Sequence, residues 1–187
     1  MSKRVGLIVA SLILASTCLA QEQMESRTQA TENVSAKGVR ISIIKPELKA
    51  DVTLRDDLGS RSGNASIDSS LGFAIGYGNL PIRQVGHTMN FSYITFSEAS
   101  SKLLRIDGNV AYAFDEKMNV KGGLNISKLD VSPFNAGVGG QVSFGVQFTR
   151  NVGLDVGYTV MNQSASSGSA SADIKFSGIE LALVGTF

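Results

Sequence analysis

His87 is the only imidazole in the chain. An imidazole is the commonest general base among side chains. A general base needs a nucleophile within hydrogen-bond reach, and the sequence offers His87 no evident partner. Lying beside a short connection at the start of an alternating segment, it reads as a turn or interface residue. Asp56 and Asp57, with Asp68, bring carboxylates into one polar stretch. Their spacing is not that of a calcium loop, so the stretch reads as a solvated loop. Gly137, Gly139 and Gly140 could open a phosphate-binding turn, but no helix follows them and no full fingerprint appears. Glycine inside a strand near a crowded interior accounts for them better. No catalytic residue, metal ligand or cofactor is expected.

Six charged residues form the more informative set: Arg40, Arg105 and Lys121 with Asp107, Asp155 and Glu180. Each occupies the polar phase of an alternating segment, and together they balance in sign. If that phase faces a narrow interior, the charges must pair, because an unpaired buried ion costs several kcal/mol. Such a set could line a channel or form a plug of ion pairs. A ring of about eight strands is just wide enough for its own side chains to fill, which favours the plug. Arg105 and Asp107 are expected to face the same way without forming a direct pair. Which carboxylate meets which cation is not readable from spacing.

The elements that place these residues follow a period of two, the period of a strand with two distinct faces. From Val138 to Thr149, Val138, Val142, Phe144, Val146 and Phe148 share one face, against Gln141, Ser143, Gln147 and Thr149 on the other. Arg150 and Asn151 make a short turn, and Val152 to Met161 repeats the pattern, so the two segments predict a hairpin. Leu71–Gly78, Met89–Thr95, Leu104–Phe114 and Val120–Ser127 alternate likewise. The first segment, near Gly38 to Thr53, keeps phase until Pro46, which removes a ladder donor and predicts a bulge or a position beyond a membrane. The last, Asp173 to Phe187, slips phase near Ser177 and Gly178, which also suggests a bulge.

Eight strands result. The connections after the first, third, fifth and seventh are polar and mostly longer: Leu54–Ser70, Ser97–Lys102, Asp130–Gly137 and Asn162–Ala172. Those at Asp115–Lys117 and Arg150–Asn151 are tight, and Asn79–Gly86 is intermediate. Long loops on one side and short turns on the other are typical of membrane barrels.

The N-terminus sets the compartment. Lys3 and Arg4 precede the apolar run Val5–Ala15, and Ser16 to Ala20 supply a small-residue end. This is the layout of a secretory signal peptide, too short to span a bilayer as a helix. Residues 1–20 are expected to be removed after Ala20, leaving no cysteine. The alternative, lipidation at Cys18, is disfavoured by Thr17 directly before it. Residues 21–36 read as a flexible polar segment, and 37–187 as one domain. The chain carries 17 Lys and Arg against 16 Asp and Glu. Losing Lys3 and Arg4 tips it slightly acidic, so there is no basic footprint for nucleic acid.

Three features assign the faces. Tyr77, Phe114, Phe148 and Phe187 end the outer faces of the even-numbered strands at the short-turn side, as an aromatic girdle at a lipid–water interface requires. The opposite face is charge-balanced and glycine-rich, unlike a solvated surface. Finally, Ile179–Phe187 alternates apolar residues and ends in Gly185-Thr186-Phe187. That terminus resembles the assembly signal of bacterial outer-membrane barrels, and Gly38–Phe187 as a whole resembles the OmpA/OmpX-like small-barrel group.

The resemblance implies an all-β, eight-stranded antiparallel up-and-down transmembrane β-barrel in the bacterial outer membrane. Its implied partners are outer-membrane lipids and the barrel-assembly machinery, the latter through the strand ending at Phe187. The expected role is non-enzymatic, structural or surface-interacting, with a lumen plugged by charged side chains and an extracellular partner left open. The alternatives are a narrow passive channel, a lipid-modifying enzyme and a soluble periplasmic ligand-binding barrel with inverted faces. Outer-membrane lipid deacylases of similar fold place a His–Ser pair near the outer leaflet, whereas His87 is expected at the other end.

Overall fold

A computed structural model describes residues 34–57, 59–67, 69–96, 101–131 and 133–187. The leader 1–20, Cys18 and most of the polar segment 21–36 lie outside the described residues. The described strands are β1 (Val34–Asp56), β2 (Gly59–Ile67), β3 (Ser69–Pro81), β4 (Val85–Phe96), β5 (Lys102–Ala113), β6 (Met118–Leu129), β7 (Gly137–Gln147), β8 (Val152–Ser167) and β9 (Ala170–Thr186). They form one antiparallel sheet in the order β2-β1-β3-β4-β5-β6-β7-β8-β9, and β1 also pairs with β9. That last pairing closes the sheet. β2 and β3 follow one another along the same edge of β1, so the nine segments make eight staves. Closure pairs the edges of the barrel wall, which a sheet in hydrocarbon needs.

The seam shows how closure is achieved. The backbones of Val39 and Phe187 exchange two hydrogen bonds, each 2.9 Å. Gly38, at φ +138°, allows it: a Cβ there would lie 2.0 Å from the carbonyl oxygen of Phe187. The short turns are tied by side chains. Asp115 Oδ1 accepts the backbone N–H groups of Lys117 and Met118, both at 2.7 Å. Thr149 Oγ1 does the same for Asn151 and Val152. Both are turns closed by the side chain of their own first residues.

Several boundaries differ from the sequence expectation. β1 begins at Val34, not Lys37, because Val34 and Ala36 find partners in Pro81 and Leu80. The turn after β3 shrinks to residues 82–84, with Arg83 at φ +58°. The expected loop Leu54–Ser70 is instead mostly a hairpin, with Asp56 opposite Gly59. Likewise β8 and β9 continue through most of Asn162–Ala172 and turn at Gly168, φ +60°. Both stretches are rich in Ser, Gly and Asn, which predict loops; cross-strand pairing along already aligned staves overrides that propensity.

Pro46 lies where the ladder to the β2/β3 stave lapses, between the pairs Ile44↔Gly72 and Leu48↔Ile67. Its missing donor thus falls at a break in its partner stave. No bulge accompanies the slip at Ser177 and Gly178: β9 holds one continuous register against both β1 and β8. The slip has another cause, described next.

Candidate functional site

Arg40 comes from β1, Arg105 and Asp107 from β5, Lys121 from β6, Asp155 from β8 and Glu180 from β9. All six side chains face the lumen. Arg105 is 3% exposed and Glu180 9%. β5 and β9 stand on opposite walls, four staves apart, and their side chains meet across the full width. Arg105 Nη2 donates to Glu180 Oε2 at 3.0 Å while Nη1 contacts Oε1, a two-pronged fork. Arg105 Nε also lies 2.8 Å from Asp107 Oδ1. This corrects the expectation that the two form no direct pair: the long guanidinium folds back along its own strand to the carboxylate two residues on.

The second group centres on Asp155. Its Oδ2 lies 3.0 Å from Arg40 Nη2 and 2.5 Å from Lys121 Nζ. Neutral side chains fill the space between the groups. Ser92 donates to Asp107 at 3.3 Å, Gln141 to Asn109 at 2.8 Å, and Asn109 to Thr88 at 3.2 Å. A cavity of about 70 Å³ remains, lined in part by Arg40, Asp107, Lys121 and Asp155. Glycine makes room for these side chains: a Cβ on Gly139 would lie 1.9 Å from the Val160 carbonyl oxygen and 2.6 Å from Asn125 Oδ1. Gly140, by contrast, has no such crowding.

The other candidate groups are not drawn together. His87 is exposed on β4, its ring 6.4 Å from that of Tyr77. Asp57 accepts a hydrogen bond from Ser169 at 2.8 Å, linking the tips of two hairpins, and Asp68 lies outside the described residues. Among the described residues no cluster of three or more His, Cys, Asp or Glu side chains could hold a metal.

Sequence reasoning missed an apolar layer inside the barrel above the charges. Leu48, Ala50, Ile94, Phe96, Leu103, Leu129, Met161 and Phe176 are buried together there. Its signal was the slip itself. On β9, Glu180 points in while Ile179, Leu181 and Leu183 point out; farther up, Phe176 points in while Lys175 points out. β5 changes from Arg105 in and Leu104 out to Leu103 in and Lys102 out. β6 changes from Asn125 in and Leu124 out to Leu129 in and Lys128 out. β1 changes from Ser42 in and Ile43 out to Leu48 in and Lys49 out. The strands keep phase, and the solvent around them changes. Below the exchange the exterior is apolar, with Phe144 44% and Leu183 50% exposed. Above it the exterior is polar and the core lies inside, as in a water-soluble sheet. At this level Lys102 Nζ lies 5.9 Å from the centre of the Tyr93 ring, pairing a cation with an aromatic face.

A band of exposed apolar side chains this large is untenable in water; between a polar lumen and a polar rim it faces acyl chains.

This is a bilayer-spanning β-barrel.

On the outside of this membrane barrel, Tyr77, Phe114, Phe148 and Phe187 are all exposed. Tyr112 packs edge-on against Phe114, ring centres 5.3 Å apart. No family model matches the chain, and no curated protein matches it in sequence. Among solved structures, the barrel is similar to the Neisserial surface protein A, with 19% identity, a TM-score of 0.44, and 81% of this chain and 99% of that chain covered. It is also similar to the outer membrane protein OprG from Pseudomonas aeruginosa, with 12% identity, a TM-score of 0.42, and 82% and 100% covered. A third similar structure is Ail, the attachment invasion locus protein of Yersinia pestis, with 12% identity, a TM-score of 0.37, and 78% and 99% covered.

Proposed function

We propose that the chain is a non-enzymatic protein of the bacterial outer membrane with a structural or surface-interaction role, and that its lumen is closed by its own side chains. The observation that carries this reading is that side chains fill the interior from wall to wall, the Arg105–Glu180 fork at one level and a buried apolar layer above it. A pore needs a continuous free path, and here side chains from opposite walls meet across the axis. The test is single-channel recording of the refolded protein in a planar bilayer. Silence is expected; steps of defined size would establish the narrow channel instead.

The surface role is supported by the sheet that rises above the level of face exchange. There β2, β1, β9 and β8 run on as four paired strands and present Ser62, Asn64, Asp173 and Ser164 outward. These polar side chains offer hydrogen bonds to an external partner. Catalysis would draw on His87, and an unchanged lipid A profile in cells carrying His87→Ala is the expected result. The strand ending at Phe187 closes the barrel against Val39, which suits recognition of that strand by the assembly machinery before closure. An inverted, soluble barrel has no support in the burial pattern, since Phe144, Val156 and Leu183 face out while Arg105 and Glu180 face in.

A further inference from the structure

We infer that the apolar layer at the long-loop end, and not the ion pairs beneath it, is what seals the interior from the outside. This inference rests on the closed-lumen reading and names the residues that enforce it. The layer is drawn from most of the wall: Ile94 and Phe96 from β4, Leu103 from β5, Leu129 from β6, Met161 from β8 and Phe176 from β9. Ile94, Leu103 and Met161 are 0% exposed. Phe96 and Phe176 close the middle as stacked rings, centres 6.0 Å apart and planes 11° from parallel. Below the charges a smaller apolar group, Ala36, Leu80, Ala111 and Ala113, forms a second boundary.

The compartment between them is of another character. It contains the cavity, and several of its buried polar atoms, among them Nε and Nη1 of Arg40, have no hydrogen-bond partner in the protein. Such atoms are stabilised by internal water. Hydrated ion pairs can part and re-form while water or a small ion passes. An apolar constriction offers a passing ion nothing in exchange for its hydration shell and excludes water outright. The two layers therefore divide the work: the charges fasten wall to wall, and the apolar layer keeps bulk water out.

The test uses Ser42→Cys as a reporter, since Ser42 is buried and lines the cavity. It is placed in the full chain with Cys18→Ser, so that no other thiol is present. The folded protein in detergent is exposed to a small charged thiol reagent, and heat-modifiable gel migration confirms that each variant is folded. Three backgrounds are compared. In the otherwise unaltered chain the thiol is expected to be protected. Phe96→Ala with Phe176→Ala, or Phe176→Ala alone if the pair folds poorly, is expected to raise the labelling rate tenfold or more, equivalent to about 1.4 kcal/mol of lost protection. Arg105→Gln, Asp107→Asn and Glu180→Gln together remove the charges and the fork, and protection is expected to persist. Labelling of that triple variant overturns the inference, as does continued protection once the phenyl rings are gone. Ready labelling in the unaltered background sinks the closed-lumen reading itself.

Discussion

Arg105 and Glu180, 75 positions apart in sequence and on opposite walls of the barrel, meet in a two-pronged contact across the lumen. No hairpin or local ladder brings them together. The contact exists only when all eight staves are present in the right order, so it reports on closure of the whole sheet. Removing one partner and removing both therefore have different consequences.

Glu180→Ala leaves the buried guanidinium with Asp107 as its remaining carboxylate. The expected cost is about 3–5 kcal/mol, the usual penalty for stranding one member of a buried pair. The triple substitution of Arg105, Asp107 and Glu180 by Gln, Asn and Gln is expected to cost less than Glu180→Ala alone. Urea unfolding in lipid vesicles measures both. A larger loss in the triple variant would mean that the fork contributes net attraction rather than pairing charges already committed to burial.

The lipid-facing band predicts a depth dependence. Ile75→Lys and Val156→Lys fall on outward positions of β3 and β8 and should cost about 2–4 kcal/mol each if they lie near the midplane, with less effect nearer either rim. Ser66→Lys on the projecting part of β2, exposed to water, should be nearly neutral. The same unfolding assay separates these cases.

The level at which the faces exchange can be located directly, because the chain contains no tryptophan. A single Trp at Leu181 should emit at short wavelength and be quenched by brominated lipids. At Lys175, six residues up the same face of the same strand, it should emit as in water and be quenched by aqueous acrylamide. Lipid quenching at both positions would place the membrane boundary higher than the exchange.

Closure predicts a requirement for Gly38. A side chain there meets the terminal carbonyl of Phe187 and demands a backbone conformation that L-residues rarely adopt. Gly38→Val should sharply reduce the heat-modifiable folded fraction, whereas Gly63→Val, with open space around its added carbons, should leave it unchanged.

The alternation from Val39 to Phe187 was enough to mark the eight staves and their two faces, because a period of two is a local property of the chain, but the strand Gly59–Ile67 and the upper parts of β8 and β9 carried no such signal. What the sequence also contained, but in a misleading form, was the edge of the membrane. The slip near Gly178 suggested a bulge, yet β9 is regular, and Phe176 departs from the pattern because the medium outside changes. A bulge and a change of solvent leave the same mark on one strand; only the aligned neighbours, with Leu103, Leu129 and Leu48 exchanging faces at the same height, tell them apart. Pairing inside the lumen was likewise decided by tertiary structure. Arg105 reaches both Asp107 and Glu180, and Asp155 is shared by Arg40 and Lys121, because long side chains in a narrow ring choose partners by distance across the axis, a quantity that exists only once the sheet has closed.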